Sequence, residues 1–128
     1  MVVCHLRDQN PEKRNKFYRA LQSPNRYVIS TQVIAEVGNN LLKKGKISEP
    51  DFRTILEGMQ RICDIIPVTL ETGLYASRLR QSDTLSYWDS LIIAAALESG
   101  CTQLWSEDLQ DGRVIEKTLT IINPLIER

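Results

Sequence analysis

The apolar positions of the chain alternate between two periods. Tyr27-Val28-Ile29, Ile65-Ile66-Pro67-Val68, Gln103-Leu104-Trp105 and the Leu-Thr-Ile-Ile of Thr118–Ile122 are short runs rich in β-branched and aromatic residues, as strands are. Between them the spacing becomes helical. Phe17, Ala20 and Leu21 make one face over Asn10–Gln22, with Pro11 suited to the first helical position. Val33, Ile34, Val37 and Leu41 do the same over Val33–Lys44, which Gly45 ends. Ser48–Cys63 opens with Ser48 and Asp51 and places Phe52, Ile55, Leu56, Met59 and Ile62 on its apolar side. A helix from Thr69 or Thr72 to about Arg80 turns Leu74, Tyr75 and Leu79 inward. Met1–Leu6 is apolar and β-branched, which favours a strand, but six residues do not settle it.

One stretch departs from this amphipathic rule. Ser86–Gly100, SYWDSLIIAAALESG, starts with a good N-cap and stops at a glycine, yet its interior is apolar almost all round. Such a helix belongs in the middle of a protein. Asp89, at its third position, is therefore an acid at the edge of the core.

Short strands alternating with helices define an α/β domain with a mostly parallel sheet, here one domain over residues 1–128. Ligands of such sheets bind beyond the carboxyl ends of the strands. Glu36 follows strand Tyr27–Ile29, Asp108 follows strand Gln103–Trp105, and Asp89 heads the helix before that strand, so all three can face one crevice. Glu36 has a second reading, a first-turn acid favoured by its helix dipole.

Composition changes this picture little. The chain carries 16 Lys+Arg and 16 Asp+Glu, so no net charge draws it to nucleic acid or membrane. The charges are unevenly placed: nine basic and three acidic residues up to Lys46, seven and thirteen after it. That is either an RNA-friendly rim beside an acidic pocket or two solvated faces that attract each other. Lys43, Lys44, Lys46, Arg78 and Arg80 are candidates for an RNA path, or plain solvated positions. Cys4, Cys63 and Cys101 lie far apart, which argues against a zinc site or a disulfide scaffold and for a reduced, cytoplasmic setting. No apolar run reaches the length of a membrane span, and Arg7 and Asp8 interrupt any signal-peptide pattern.

Three acids at one sheet edge repel one another unless a cation fills the gap, and hard oxygen ligands select Mg²⁺ or Mn²⁺ over zinc. Such an ion supports phosphodiester hydrolysis. Ser106 stands where it can orient a carboxylate or water.

The runs YWDSLIIAAALESG, LWSEDLQDG and TIINP resemble the C-terminal half of a PIN domain, in particular the VapC-like toxin group, and STQVIAEVGNNLLKKG resembles that family's second acidic segment. The resemblance covers nearly the whole chain. It implies a three-layer α/β/α fold and a Mg²⁺- or Mn²⁺-dependent endoribonuclease, the toxin of a toxin–antitoxin pair. Its partners would be an RNA substrate, a cognate antitoxin and a second copy of itself. On the family pattern Glu36 matches the second acid, Asp89 the third and Asp108 the fourth, Ser106 matches the supporting Ser/Thr, and Asp111 is a further metal contributor. The family opens with a strand ending in D-T-N, for which this chain has no counterpart. On that alignment the first strand is missing, Met1–Leu6 begins a helix, and Asp8 falls about two helical turns too late to replace the absent acid. The sheet should then be less stable or borrow a strand, and metal affinity and nuclease activity should suffer.

Two other functions compete. A non-catalytic PIN remnant would bind an antitoxin or itself without needing Asp89. A phospho-receiver would want a Lys near the end of the last strand, and Thr118–Asn123 leads into Pro124 with none.

Overall fold

The computed structural model describes residues 2–5, 26–43, 45 and 47–126. The helix expected over Asn10–Gln22, together with Asp8, Lys44 and Lys46, lies outside them.

Six strands form one sheet: β1 (Val2–His5), β2 (Tyr27–Ser30), β3 (Cys63–Ile66), β4 (Gln103–Ser106), β5 (Val114–Ile115) and β6 (Leu119–Ile122). Their order is β3-β2-β1-β4-β6-β5, and every neighbouring pair is parallel except β5 with β6. The four helices among the described residues are α1 (Thr31–Lys43), α2 (Glu49–Ile62), α3 (Leu70–Ser82) and α4 (Tyr87–Glu98). The mixed α/β class expected from the alternating periods is present.

The centre of the sheet corrects the alignment-based expectation of a missing strand. Val2–His5 does not begin a helix. It pairs with β2 at Val2↔Tyr27 and Val3↔Val28, and with β4 from Val2↔Gln103 to His5↔Ser106. The physical reason lies in the sequence: a β-branched run fits the gap between two parallel strands better than it fits a helix. The sheet is thus continuous through its middle. What this strand lacks is an acid, since its residues are VVCH.

α4 lies against β1 and β2 and packs along α3. Leu91–Ala96 and Ser90 are all buried, with Ile92 and Ile93 fully so. They meet Val28, Leu104 and Ile121 from the sheet and Ala76 and Leu79 from α3 in one core. Burying each large aliphatic side chain contributes about 1.5–3 kcal/mol. Ser86 caps the helix by accepting from Asp89 N at 3.1 Å. Gly100, at φ +72°, takes the left-handed turn that ends it.

The other helices sit further out. α2 has no fully buried residue, and Ile62, expected on its inward side, is 58% exposed. Its Phe52 ring lies over Gly38 of α1, where a Cβ would come within 2.7 Å of Cζ, so the missing side chain permits the contact. α3 opens at Thr69 with a reciprocal capping box to Thr72. Its Leu79 is buried as expected, but Leu74 points outward. Tyr75 O–H donates to Glu116 Oε2 at 2.5 Å, and burial first, then Glu116, pushes its pKa up to about 12. Glu116 and Lys117 take φ of +50° and +62° in the tight turn between β5 and β6.

Candidate functional site

β2 runs straight into α1, and Ser30 Oγ at the junction accepts from Val33 N at 3.3 Å. This short connection fixes the first turns of α1 at the carboxyl edge of the sheet. Glu36 lies one turn further along, half-buried. Gln32, in the turn before it, reaches across the crevice. Its Nε2 donates to Glu36 Oε1 at 3.3 Å and to the backbone oxygen of Trp88 at 3.2 Å. Glu36 is thereby tied to the first turn of α4, the turn that carries Asp89.

Between the two helices lies an open depression of about 470 Å³, lined by Gln32, Ala35, Glu36, Asn39 and Asn40 of α1 and by Trp88 of α4. Asp89 is half-buried at its rim-forming helix start, directly after Trp88. The structure therefore unites Glu36 with the neighbourhood of Asp89.

Ser106 ends β4 and is fully buried. Its Oγ accepts from Asp108 N at 3.2 Å and from Leu109 N at 3.3 Å. The hydroxyl therefore shapes the loop that carries Asp108, as a side-chain turn does. Asp108 itself is exposed. Asp111 Oδ1 accepts from Asn123 N at 2.7 Å, so one of its oxygens joins the loop before β5 to the end of β6.

Oxygen donors such as these suit Mg²⁺ or Mn²⁺. Among the described residues, however, no group of three His, Cys, Asp or Glu side chains comes together to hold a metal ion. Of the acids, Glu36 lines the crevice, whereas Asp89, Asp108 and Asp111 are not among its lining residues.

Two contributors, Gln32 and Trp88, were not read from the sequence. Gln32 looks like an ordinary second residue of a helix, and only its reach to Trp88 O reveals it as a bridge. Trp88 sits in an apolar run but is 57% exposed. A signal was available for it: residues of a helix's first turn stand at the sheet edge whatever the apolarity of the turns that follow. Arg80, one of the basic candidates, lies 5.0 Å over the Tyr87 ring and donates through Nη1 to Ser90 Oγ at 2.8 Å. Arg78 instead covers the Tyr75 ring at 5.6 Å.

The family profile of the PIN domain matches residues 2–114. No curated protein sequence matches the chain significantly. Among solved structures, the chain is similar to VapC20 of Mycobacterium tuberculosis, described as a sarcin–ricin-loop-cleaving toxin, with a TM-score of 0.59. The two share 13% identity over 84% of this chain and 90% of the other, a likeness of fold. Among the described residues no helix is long and apolar enough to cross a membrane.

Proposed function

We propose, from the premise that the chain belongs to the PIN domain family, that it is an endoribonuclease of the toxin type, working with Mg²⁺ or Mn²⁺ in the cytoplasm. The observation that supports this best is the Gln32 bridge, which holds Glu36 against the turn bearing Asp89. Glu36, Asp89 and Asp108 are its working acids. Ser106 sets the Asp108 loop, and Asp111 is an outer contributor. A divalent cation, when bound, would offset phosphodiester charge and activate water. On this reading the helices cover both faces of the sheet in three layers, and the partners are RNA, a cognate antitoxin and a second copy of the chain. A structured RNA loop is the first substrate to try, because VapC20 is described as cleaving one.

The test is cleavage of single-stranded and loop RNA by the purified chain, with Mn²⁺ and with chelator. Cleavage is expected only with the metal, and Asp89→Asn should lower it about a hundredfold or more. Metal-independent cleavage, or cleavage indifferent to Asp89→Asn, would sink this assignment.

A second reading has its own support. β1 carries no acid, and the described acids do not converge on a metal group. A non-catalytic PIN module would bind antitoxin or itself. It predicts no cleavage under any metal and partner binding unchanged by Asp89→Asn.

A further inference from the structure

The depression between α1 and α4 contains more than the acid site needs. We infer that it is a subsite for one unstacked nucleobase of single-stranded RNA, held face-on against Trp88. The inference rests on the ribonuclease reading and deepens it, by naming what positions the strand beside the acids.

Trp88 is presented as a platform. Its indole is more than half exposed although it belongs to the most buried helix of the fold. An exposed indole of this kind gains when an apolar face covers it. The ring is also held in place. Tyr87 meets it edge to face, with centroids 5.1 Å apart and planes at 89°. Tyr87 is pinned in turn by the Arg80 guanidinium over its ring. Ser90 O–H donates to the Tyr87 backbone oxygen at 2.6 Å while accepting from Arg80. The Trp88 backbone oxygen is fixed from the other side by Gln32. Arg80, Tyr87, Trp88 and Gln32 thus form one connected support, so little ordering remains to be done when a base stacks.

The walls opposite are amides. Gln32, Asn39 and Asn40 line the depression with Glu36. Amides offer both donors and acceptors, which the polar edge of a base requires. Gln32 Oε1 is buried from solvent, so Gln32 acts through its bridge, and the polar edge of the base would meet Asn39 and Asn40. A duplex hides the faces of its bases, so the occupant is an unpaired nucleotide.

The experiment uses the full chain in chelator, where binding is read without cleavage. Short oligonucleotides of about eight nucleotides, oligo(A), oligo(C), oligo(U) and an abasic ribose–phosphate oligomer of equal charge, are titrated against tryptophan emission. The base-bearing strands are expected to quench Trp88, and the abasic strand is not. Trp88→Ala should weaken oligonucleotide binding about tenfold or more by competition, with Trp88→Phe between it and the parent. Asn39→Ala should alter the ranking of the three bases. Equal binding of the abasic strand, or unchanged affinity in both Trp88 variants with folding intact by circular dichroism, would overturn the subsite. So would an emission change produced by antitoxin and not by RNA. The two readings fail separately. Quenching without any metal-dependent cleavage removes the nuclease and keeps the subsite, whereas cleavage indifferent to Trp88 removes the subsite and keeps the nuclease.

Discussion

α4 and α2 are helices of similar length, 12 and 14 residues, with the same kind of serine cap, yet they hold opposite places in the fold. α4 has seven buried residues and is apolar around its interior turns. α2 is the more regular amphipathic helix, and none of its residues is fully buried. The difference shows that period and depth are separate properties. A clean apolar stripe says that a helix has one inward face. A helix with no polar face has nowhere to sit but the middle. Depth then decides function. Because α4 is enclosed along most of its length, its exposed first turn is held rigidly, and that turn carries Trp88 and Asp89 beside the depression.

The strongest way to test this contrast is to shorten a side chain in each helix. Ile92→Ala removes atoms from a position with no exposed surface and should cost about 2–5 kcal/mol in urea unfolding. That is a large part of the roughly 5–15 kcal/mol typical of a domain, so the variant should approach the edge of folding. Ile62→Ala, on the outer helix, should cost about 0.5 kcal/mol or less. Equal losses at the two sites would mean that α2 is as deeply engaged as α4, against the exposures found here.

The caps give a smaller and finer comparison. Ser86 Oγ accepts from Asp89 N at 3.1 Å and Ser48 Oγ from Asp51 N at 3.2 Å. By geometry alone the two should count equally. Ser86→Ala should nevertheless cost about 1 kcal/mol and Ser48→Ala about half that, because fraying α4 exposes core and fraying α2 exposes little. Ser86→Ala should also blunt any RNA-dependent quenching, since it loosens the turn that presents Trp88.

Much of this arrangement was legible in the sequence. The strands at Tyr27, Gln103 and Leu119, the cap at Ser86, the stop at Gly100 and the central place of α4 follow from local pattern, because each depends on residues within a few positions. What escaped depends on distant neighbours. The β-branching of Val2 and Val3 favours a strand, but its place between β2 and β4 rests on those distant partners, which the residues of Val2–His5 do not reveal. β5 was missed because its hairpin turns on Glu116 and Lys117, which occupy left-handed conformations without the Asn-Gly signature such turns favour. Leu74 was assigned inward by spacing, whereas the buried face of α3 is Thr72, Ala76 and Leu79. Near the crevice, the places of Glu36 after β2, Asp89 in the first turn of α4 and Ser106 at the end of β4 follow from local pattern. The roles of Gln32 and Trp88 do not, because a bridge between helices 56 positions apart leaves no local trace.

The smallest effect uses two thiols that close the same two helices. Cys63 follows α2 and is half-buried, and Cys101 follows α4 and is buried. Burial pushes both thiols above their ordinary pKa, with Asp64 adding to the shift at Cys63. A raised pKa means less thiolate at pH 8, so both should alkylate more slowly than a free cysteine, and both rates should climb as pH passes through and beyond 9. They should part in mechanism. Cys63 is reached from the native state, so its rate at a given pH should hardly respond to low urea. Cys101 is reached only when the end of α4 opens, so its labelling should be the slower of the two and should accelerate with urea. Peptide mapping by mass spectrometry assigns each thiol. If Cys101 labels as fast as Cys63 in buffer, the end of α4 opens freely, and the rigidity assigned to its first turn loses its main support.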